Sequence, residues 1–147
     1  MLVNLMVAAS NAAGLATVYA AYRCDTRGVF LLMCLVVTAS VLQHLSDRKH
    51  GLPGACFQRF HRELLWLDRF AAVAAGAFVL WRMTQKRTTL PLLTGLPGLV
   101  FMGISENPTM FADTVKGEQA TIQLVFGLIH CIWHVLAYTT LTMMVCN

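Results

Sequence analysis

Charged residues are scarce in this chain of 147 residues. Only 12% of the residues are Asp, Glu, Lys or Arg, whereas 57% are apolar. Soluble domains average about 25% charged and about 45–50% apolar residues, so the composition excludes a monomeric water-soluble protein. Intrinsic disorder is excluded as well, because it needs low hydrophobicity and a high net charge. We therefore expect an integral membrane protein that forms a single transmembrane domain over residues 1–147.

Basic runs with interleaved aromatic residues are absent, although the formal net charge is +4. Nucleic acid is therefore not an expected partner, whereas the anionic headgroups of membrane lipids are. No Cys-x-x-Cys motif occurs and the five cysteines are an odd number, so no disulfide framework is expected. Cys34, Cys131 and Cys146 lie in apolar stretches and are predicted to be small buried hydrophobic residues.

Uncharged stretches divide the chain into about five predicted transmembrane helices. About 20 apolar residues cross a bilayer core of about 30 Å, and the predicted spans cover residues 1–22, 28–46, 64–81, 88–105 and 119–145. The fourth span contains Pro91, Pro97 and three glycines. It is expected to be kinked or re-entrant, because such residues free backbone groups that neighbouring helices must satisfy. The predicted fold class is an all-α, multi-pass transmembrane helical bundle.

Four ionisable side chains lie in or beside the predicted spans: His44, Asp68, His130 and His134. Such groups are costly at membrane depth and usually functional. His130 and His134 are four residues apart, so both imidazoles leave one helix face and can share one metal ion. The end of the second span, the start of the third and the first half of the fifth lie toward the same side of the membrane. The sequence therefore predicts that these side chains converge.

Three neutral imidazoles and one open coordination position are the ligand set of a catalytic zinc site. The chemistry that fits is hydrolysis of an amide or ester bond in a lipid, because lipid reaches an intramembrane site easily. Asp68 is the candidate general base for the attacking water. Ser40, one turn before His44, is the candidate hydrogen-bonding partner of that water or of the oxyanion. Taken singly, each residue also has a structural interpretation, in helix packing or, for Asp68, in a local pair with Arg69.

The ordered combination of motifs resembles the CREST superfamily of membrane hydrolases, which includes alkaline ceramidases, adiponectin/progestin-type receptors and myomaker-like proteins. The motifs are Ser40-Val-Leu-Gln-His44, Asp68 within Leu-Trp-Leu-Asp-Arg, and His130-Cys-Ile-Trp-His134. The stretch from residue 40 to residue 81 is most similar to the myomaker-like branch. The resemblance implies that the three histidines bind zinc and that Asp68 and Ser40 support the site.

The number of helices departs from that family, which has seven where this chain has room for about five. The shortfall lies between Asp68 and His130. One interpretation is a small zinc-dependent lipid hydrolase. Another is a non-catalytic accessory subunit of a larger membrane complex, such as a mitochondrial respiratory complex, on a degenerate hydrolase scaffold. The short length of the chain and its spans rich in Ala and Gly, which suit close helix packing, favour that second interpretation.

A third interpretation is a lipid-binding or receptor module that holds zinc without chemistry. The expected location is a mitochondrial inner membrane or an endomembrane. Lys and Arg divide almost equally between the two sides of the predicted bundle, so the positive-inside rule does not determine the orientation.

Overall fold

The computed structural model describes residues 2–24, 27–47, 54–107 and 118–145. These residues contain helices and no strand, which confirms the prediction of an all-α, multi-pass bundle. The five helices are α1 (Leu2–Arg23), α2 (Arg27–Ser46), α3 (His61–Lys86), α4 (Leu92–Glu106) and α5 (Gln119–Val145). Helix α1 passes through a 3-10 turn at Asn11–Ala13, and a second 3-10 turn, Gln58–Phe60, precedes α3.

Four of the helices, all except α4, are long and apolar enough to cross a membrane. Helix α4 has 15 residues, and at 1.5 Å per residue it is about 22 Å long, which is shorter than a bilayer core of about 30 Å. It is one continuous helix with Pro97 inside it. It begins at Leu92, four residues after the start of the predicted span, and Pro91, which has no N–H to donate, stands directly before it.

Helix α3 is longer than its predicted span and continues through the basic segment to Lys86. It ends at Arg87, whose φ of 49° is left-handed. Arg82 Nε donates a hydrogen bond of 3.0 Å to the carbonyl of Met144, which joins the end of α3 to the end of α5. The long apolar stems of basic residues allow them to lie on a membrane helix in this way while their charged ends reach polar groups.

The helices pack side by side in the order α4, α5, α1, α2 and α3, and α3 also contacts α5. Two glycines allow α1 to approach its neighbours closely. A Cβ atom at Gly14 would stand 2.5 Å from Cγ2 of Val37 and 2.7 Å from the ring of Tyr138. A Cβ atom at Gly127 would stand 2.6 Å from Cγ1 of Val3. Helix α1 is therefore held in a narrow space between α2 and α5.

Buried apolar side chains form the main core between α1, α2, α3 and α5. Its members are Ala21, Met33, Val36, Ala39, Ala71, Ala75, Tyr138, Leu141 and Val145. On the outside of the bundle large apolar side chains are exposed, among them Phe70 and Trp81 of α3 and Leu93 and Val100 of α4. Four of the nine core residues are alanines, and small residues at helix interfaces are typical of helices that pack together in lipid.

The cysteine prediction is wrong in one respect, because Cys24 is disulfide-bonded. An odd number of cysteines excludes complete pairing, but it does not exclude a single bridge. Cys34 and Cys131 are free and half-buried, so they are less enclosed than predicted. The third cysteine that the sequence placed in an apolar environment, Cys146, lies outside the described residues.

We predict that Gly14→Ala destabilises the bundle by about 1–3 kcal/mol, the usual cost of forcing an extra methyl group into a packed interior. The added Cβ would overlap a valine methyl group and an aromatic ring, and neither can swing away. Unfolding of the purified protein in detergent micelles measures the difference. Gly76→Ala is the matched control, because nothing lies within 4 Å of a Cβ atom there; equal stabilities of the two variants would contradict the packing described.

Candidate metal centre

His44, His130 and His134 form a buried cluster, each with 4% of its surface exposed. The ring centroid of His44 lies 4.6 Å from that of His130 and 5.0 Å from that of His134. The ring centroids of His130 and His134 are 4.9 Å apart. One nitrogen from each ring lies within 4.8 Å of the others. Tetrahedral bonds of about 2.0–2.1 Å separate ligand nitrogens by about 3.4 Å, so small ring movements bring the three around one ion. The cluster can bind a metal.

The histidines of α2 and α5 can meet because α5 begins beyond the level in the bundle at which α2 ends. His44 stands two residues before the end of α2, whereas His130 lies about three turns into α5. The first turns of α5 therefore extend past the end of α2, and the two histidine positions come to the same level. His134 follows one turn later on the same face of α5, and it completes the cluster from the same helix.

Serine hydroxyls from two further helices contact the α5 histidines. Ser10 Oγ of α1 lies 2.7 Å from Nδ1 of His134, and Ser105 Oγ of α4 lies 3.0 Å from Nδ1 of His130. Both contacts are made on the Nδ1 side of the ring. Partners of this kind orient the rings of metal-binding histidines.

A buried carboxylate lies beside the third histidine. Asp47 directly follows α2, is only 2% exposed, and places Oδ2 at 4.0 Å from Nδ1 of His44. The carbonyl of Asp47 accepts a hydrogen bond of 2.8 Å from Asn4 Nδ2. The first turn of α1 therefore fixes the position where α2 ends and where this carboxylate stands.

Of the two non-ligand residues of the predicted site, Ser40 contacts the cluster. It is buried, and its Oγ stands 3.4 Å from Nε2 of His134. Asp68 is half-buried on α3 and lies near Tyr138 of α5. Asp68 does not belong to the group of ligand atoms around one point that the described residues form.

Three contact residues escaped the sequence reasoning: Ser10, Ser105 and Tyr138. Tyr138 had a signal, because it follows His134 by four residues and so lies on the same helix face. Its hydroxyl donates a hydrogen bond of 2.7 Å to Oδ1 of Asn11. The two serines had no signal, since they lie on helices whose pairing with α5 cannot be derived from spacing along the chain.

Compared with known proteins, the chain matches no family model, and no curated protein or solved structure is significantly similar to it. The resemblance to the CREST superfamily therefore stays a prediction, and the site is interpreted from its own geometry.

We predict that the purified protein binds a divalent transition metal and that His130→Ala and His134→Ala abolish its uptake, because each removes a ligand from one face of α5. Elemental mass spectrometry of the protein after exposure to zinc and removal of loosely bound ions measures this. His61→Ala, at the first position of α3 and outside the cluster, is the matched control and should retain the metal. Equal metal content in all variants would contradict the assignment.

Proposed function

We propose that this protein is a membrane hydrolase that holds a zinc ion at His44, His130 and His134 and cleaves an amide or ester bond of a lipid. The observation that carries the proposal is the buried three-histidine cluster inside a bundle of membrane-length helices. Imidazole ligands suit zinc, and three of them with an open position are the set found in catalytic sites. When bound, zinc supplies Lewis acidity that activates water and polarises a carbonyl oxygen.

The residues around the cluster fit such a site. The three ligands are nearly fully buried and close enough to share an ion. Nδ1 of His130 and of His134 has a hydroxyl partner, which is the outer support that metal-binding histidines usually have.

Asp68 and Ser40 have the two remaining catalytic roles in this proposal, those of general base and oxyanion donor. The Asp68 carboxylate, on the adjacent helix α3, takes the proton from the attacking water as general base. The Ser40 hydroxyl, 3.4 Å from Nε2 of His134, donates to the carbonyl oxygen of the substrate as negative charge develops on it. Burial of the site excludes bulk water, which strengthens both interactions.

A groove on the outside of the bundle supports a lipid substrate. It has a volume of about 290 Å³, lies between α1 and α5, and is lined by Ala13, Ala16, Val135, Tyr138, Thr139, Thr142 and Met143. Tyr138 contributes to this groove, and its ring centroid lies 6.2 Å from that of His134. An acyl chain lying in the groove would therefore pass close to the cluster.

A second candidate function is that of an accessory subunit in a larger membrane complex, with the metal as a structural element. It is favoured by α3, whose 26 residues include only two that are buried within the chain, Ala71 and Ala75. The rest of the α3 surface is available to lipid or to another helix. The two candidates differ in one measurable property, which is turnover by the isolated protein.

We predict that the zinc-loaded protein, reconstituted in lipid nanodiscs, hydrolyses fluorescent lipid amides or esters. Asp68→Asn should lower kcat by about 10²–10⁴-fold, the range for loss of a general base, and Ser40→Ala by about 10²–10³-fold, the range for loss of an oxyanion donor. Both variants should retain zinc, because neither residue is among the three ligands.

Glu63→Gln is the matched control for Asp68→Asn, because Glu63 is an exposed carboxylate in the first turn of the same helix. It should leave kcat unchanged. Stoichiometric zinc without hydrolysis of either lipid class, together with recovery of the native protein in a larger complex, would contradict the hydrolase and support the accessory subunit. Absence of zinc from the wild-type protein would contradict both forms of the proposal.

A further inference from the structure

We infer that Ser105 and Ser10 are positioning residues that set the tautomers of His130 and His134, so that both rings carry their proton on Nδ1 and present Nε2 as a lone-pair donor. The consequence for metal binding rests on the proposed function. The tautomers themselves are a property of the metal-free protein and can be tested without it.

The argument is most direct at Ser105, which is 1% exposed. A serine hydroxyl has a single proton to donate. Ser105 Oγ lies 2.9 Å from the carbonyl oxygen of Met102, and because a carbonyl can only accept, the hydroxyl proton is directed there. A lone pair of Ser105 Oγ then faces Nδ1 of His130 at 3.0 Å. That nitrogen must therefore be the donor, and the proton of the neutral ring is on Nδ1.

Ser10 repeats the arrangement on the opposite side of α5. Its Oγ lies 2.6 Å from the carbonyl oxygen of Val7 and 2.7 Å from Nδ1 of His134. The hydroxyl proton of Ser10 is directed to the Val7 carbonyl, so a lone pair of Ser10 Oγ faces Nδ1 of His134. Again the ring proton is assigned to Nδ1.

These assignments matter because the site has little water that could move the ring proton from one nitrogen to the other. Inside a bundle of apolar helices, a polar atom without a protein partner is costly, so each hydroxyl enforces its tautomer more firmly than it would at a surface. A neutral imidazole can bind an ion only through the nitrogen that lacks a proton. With Nδ1 protonated on both rings, the two Nε2 atoms are prepared for the same ion before it arrives.

The first test is nitrogen NMR of the metal-free protein with 15N-labelled histidines, in nanodiscs at neutral pH, with signals assigned from His130→Ala and His134→Ala. In the wild type both rings should show a protonated Nδ1 and an unprotonated Nε2. Ser105→Ala should shift His130 toward the other tautomer or a mixture, and Ser105→Thr should restore the wild-type pattern. A proton on Nε2 of either ring in the wild type would overturn the inference, whether or not the protein binds a metal.

The second test is zinc affinity, measured by competition with a chelator. Ser105→Ala should weaken binding about 10–100-fold, the usual effect of removing an outer partner of a ligand, and Ser105→Thr should recover it. Ser10→Ala should weaken binding to a similar extent, because it removes the corresponding partner of His134. Thr142→Val is the matched control: it removes an interhelical hydroxyl contact of 2.7 Å between α1 and α5 that involves no histidine.

The outcomes separate the two proposals. If His134→Ala loses zinc but Ser105→Ala binds it as tightly as the wild type, the metal site stands and the role of the serines is wrong. If Thr142→Val weakens binding as much as Ser105→Ala, the serine acts through general packing and the inference is again overturned. If the NMR pattern is found but the wild type binds no zinc, the tautomers are confirmed and the proposed function is wrong.

Discussion

The structure depends on one constraint. Every polar side chain of α5 needs a hydrogen-bonding partner inside an apolar bundle. A polar group that faces lipid without a hydrogen bond costs several kcal/mol, so a helix with many such groups must be surrounded by complementary ones. Tyr138 and Thr142 of α5 are paired with α1, and Thr140 is paired with Thr94 of α4. These contacts fix the rotation and the depth of α5, and with them the position of both of its histidines.

The same constraint explains why the cluster is shared among so many helices. Helices α2 and α5 supply the imidazoles, whereas α1 and α4 supply the hydroxyls behind two of them. The family that the motifs resemble has seven helices, yet the five helices of this chain are sufficient to enclose the three rings. Among the described residues, it is the outer surface of α3, and not the cluster, that no other helix of the chain covers.

Much of the fold could be predicted from the sequence, because uncharged runs of about 20 residues have few alternatives to a membrane helix. The ends of the helices were less predictable. The predicted third span ends at residue 81, before a basic segment, whereas the long side chains of the basic residues let α3 continue to Lys86. The histidines could be predicted to converge because His130 and His134 share a face and His44 lies toward the same side of the membrane. The roles of Ser10 and Ser105 could not be predicted, because they depend on which helices lie against α5. The order of the helices along the chain does not contain that information.

The position of α5 in the chain has a consequence for biosynthesis. The contacts between α1 and α2 and between α2 and α3 can form while the ribosome is still extending the chain, but α5 is made after the other four helices. Until it is inserted, Asn11 and Thr17 lie on α1 without the tyrosine and threonine partners that they have in the finished bundle. The half-made protein therefore presents unsatisfied polar groups within the bilayer, which makes it a natural target for the chaperones and proteases that survey membrane insertion.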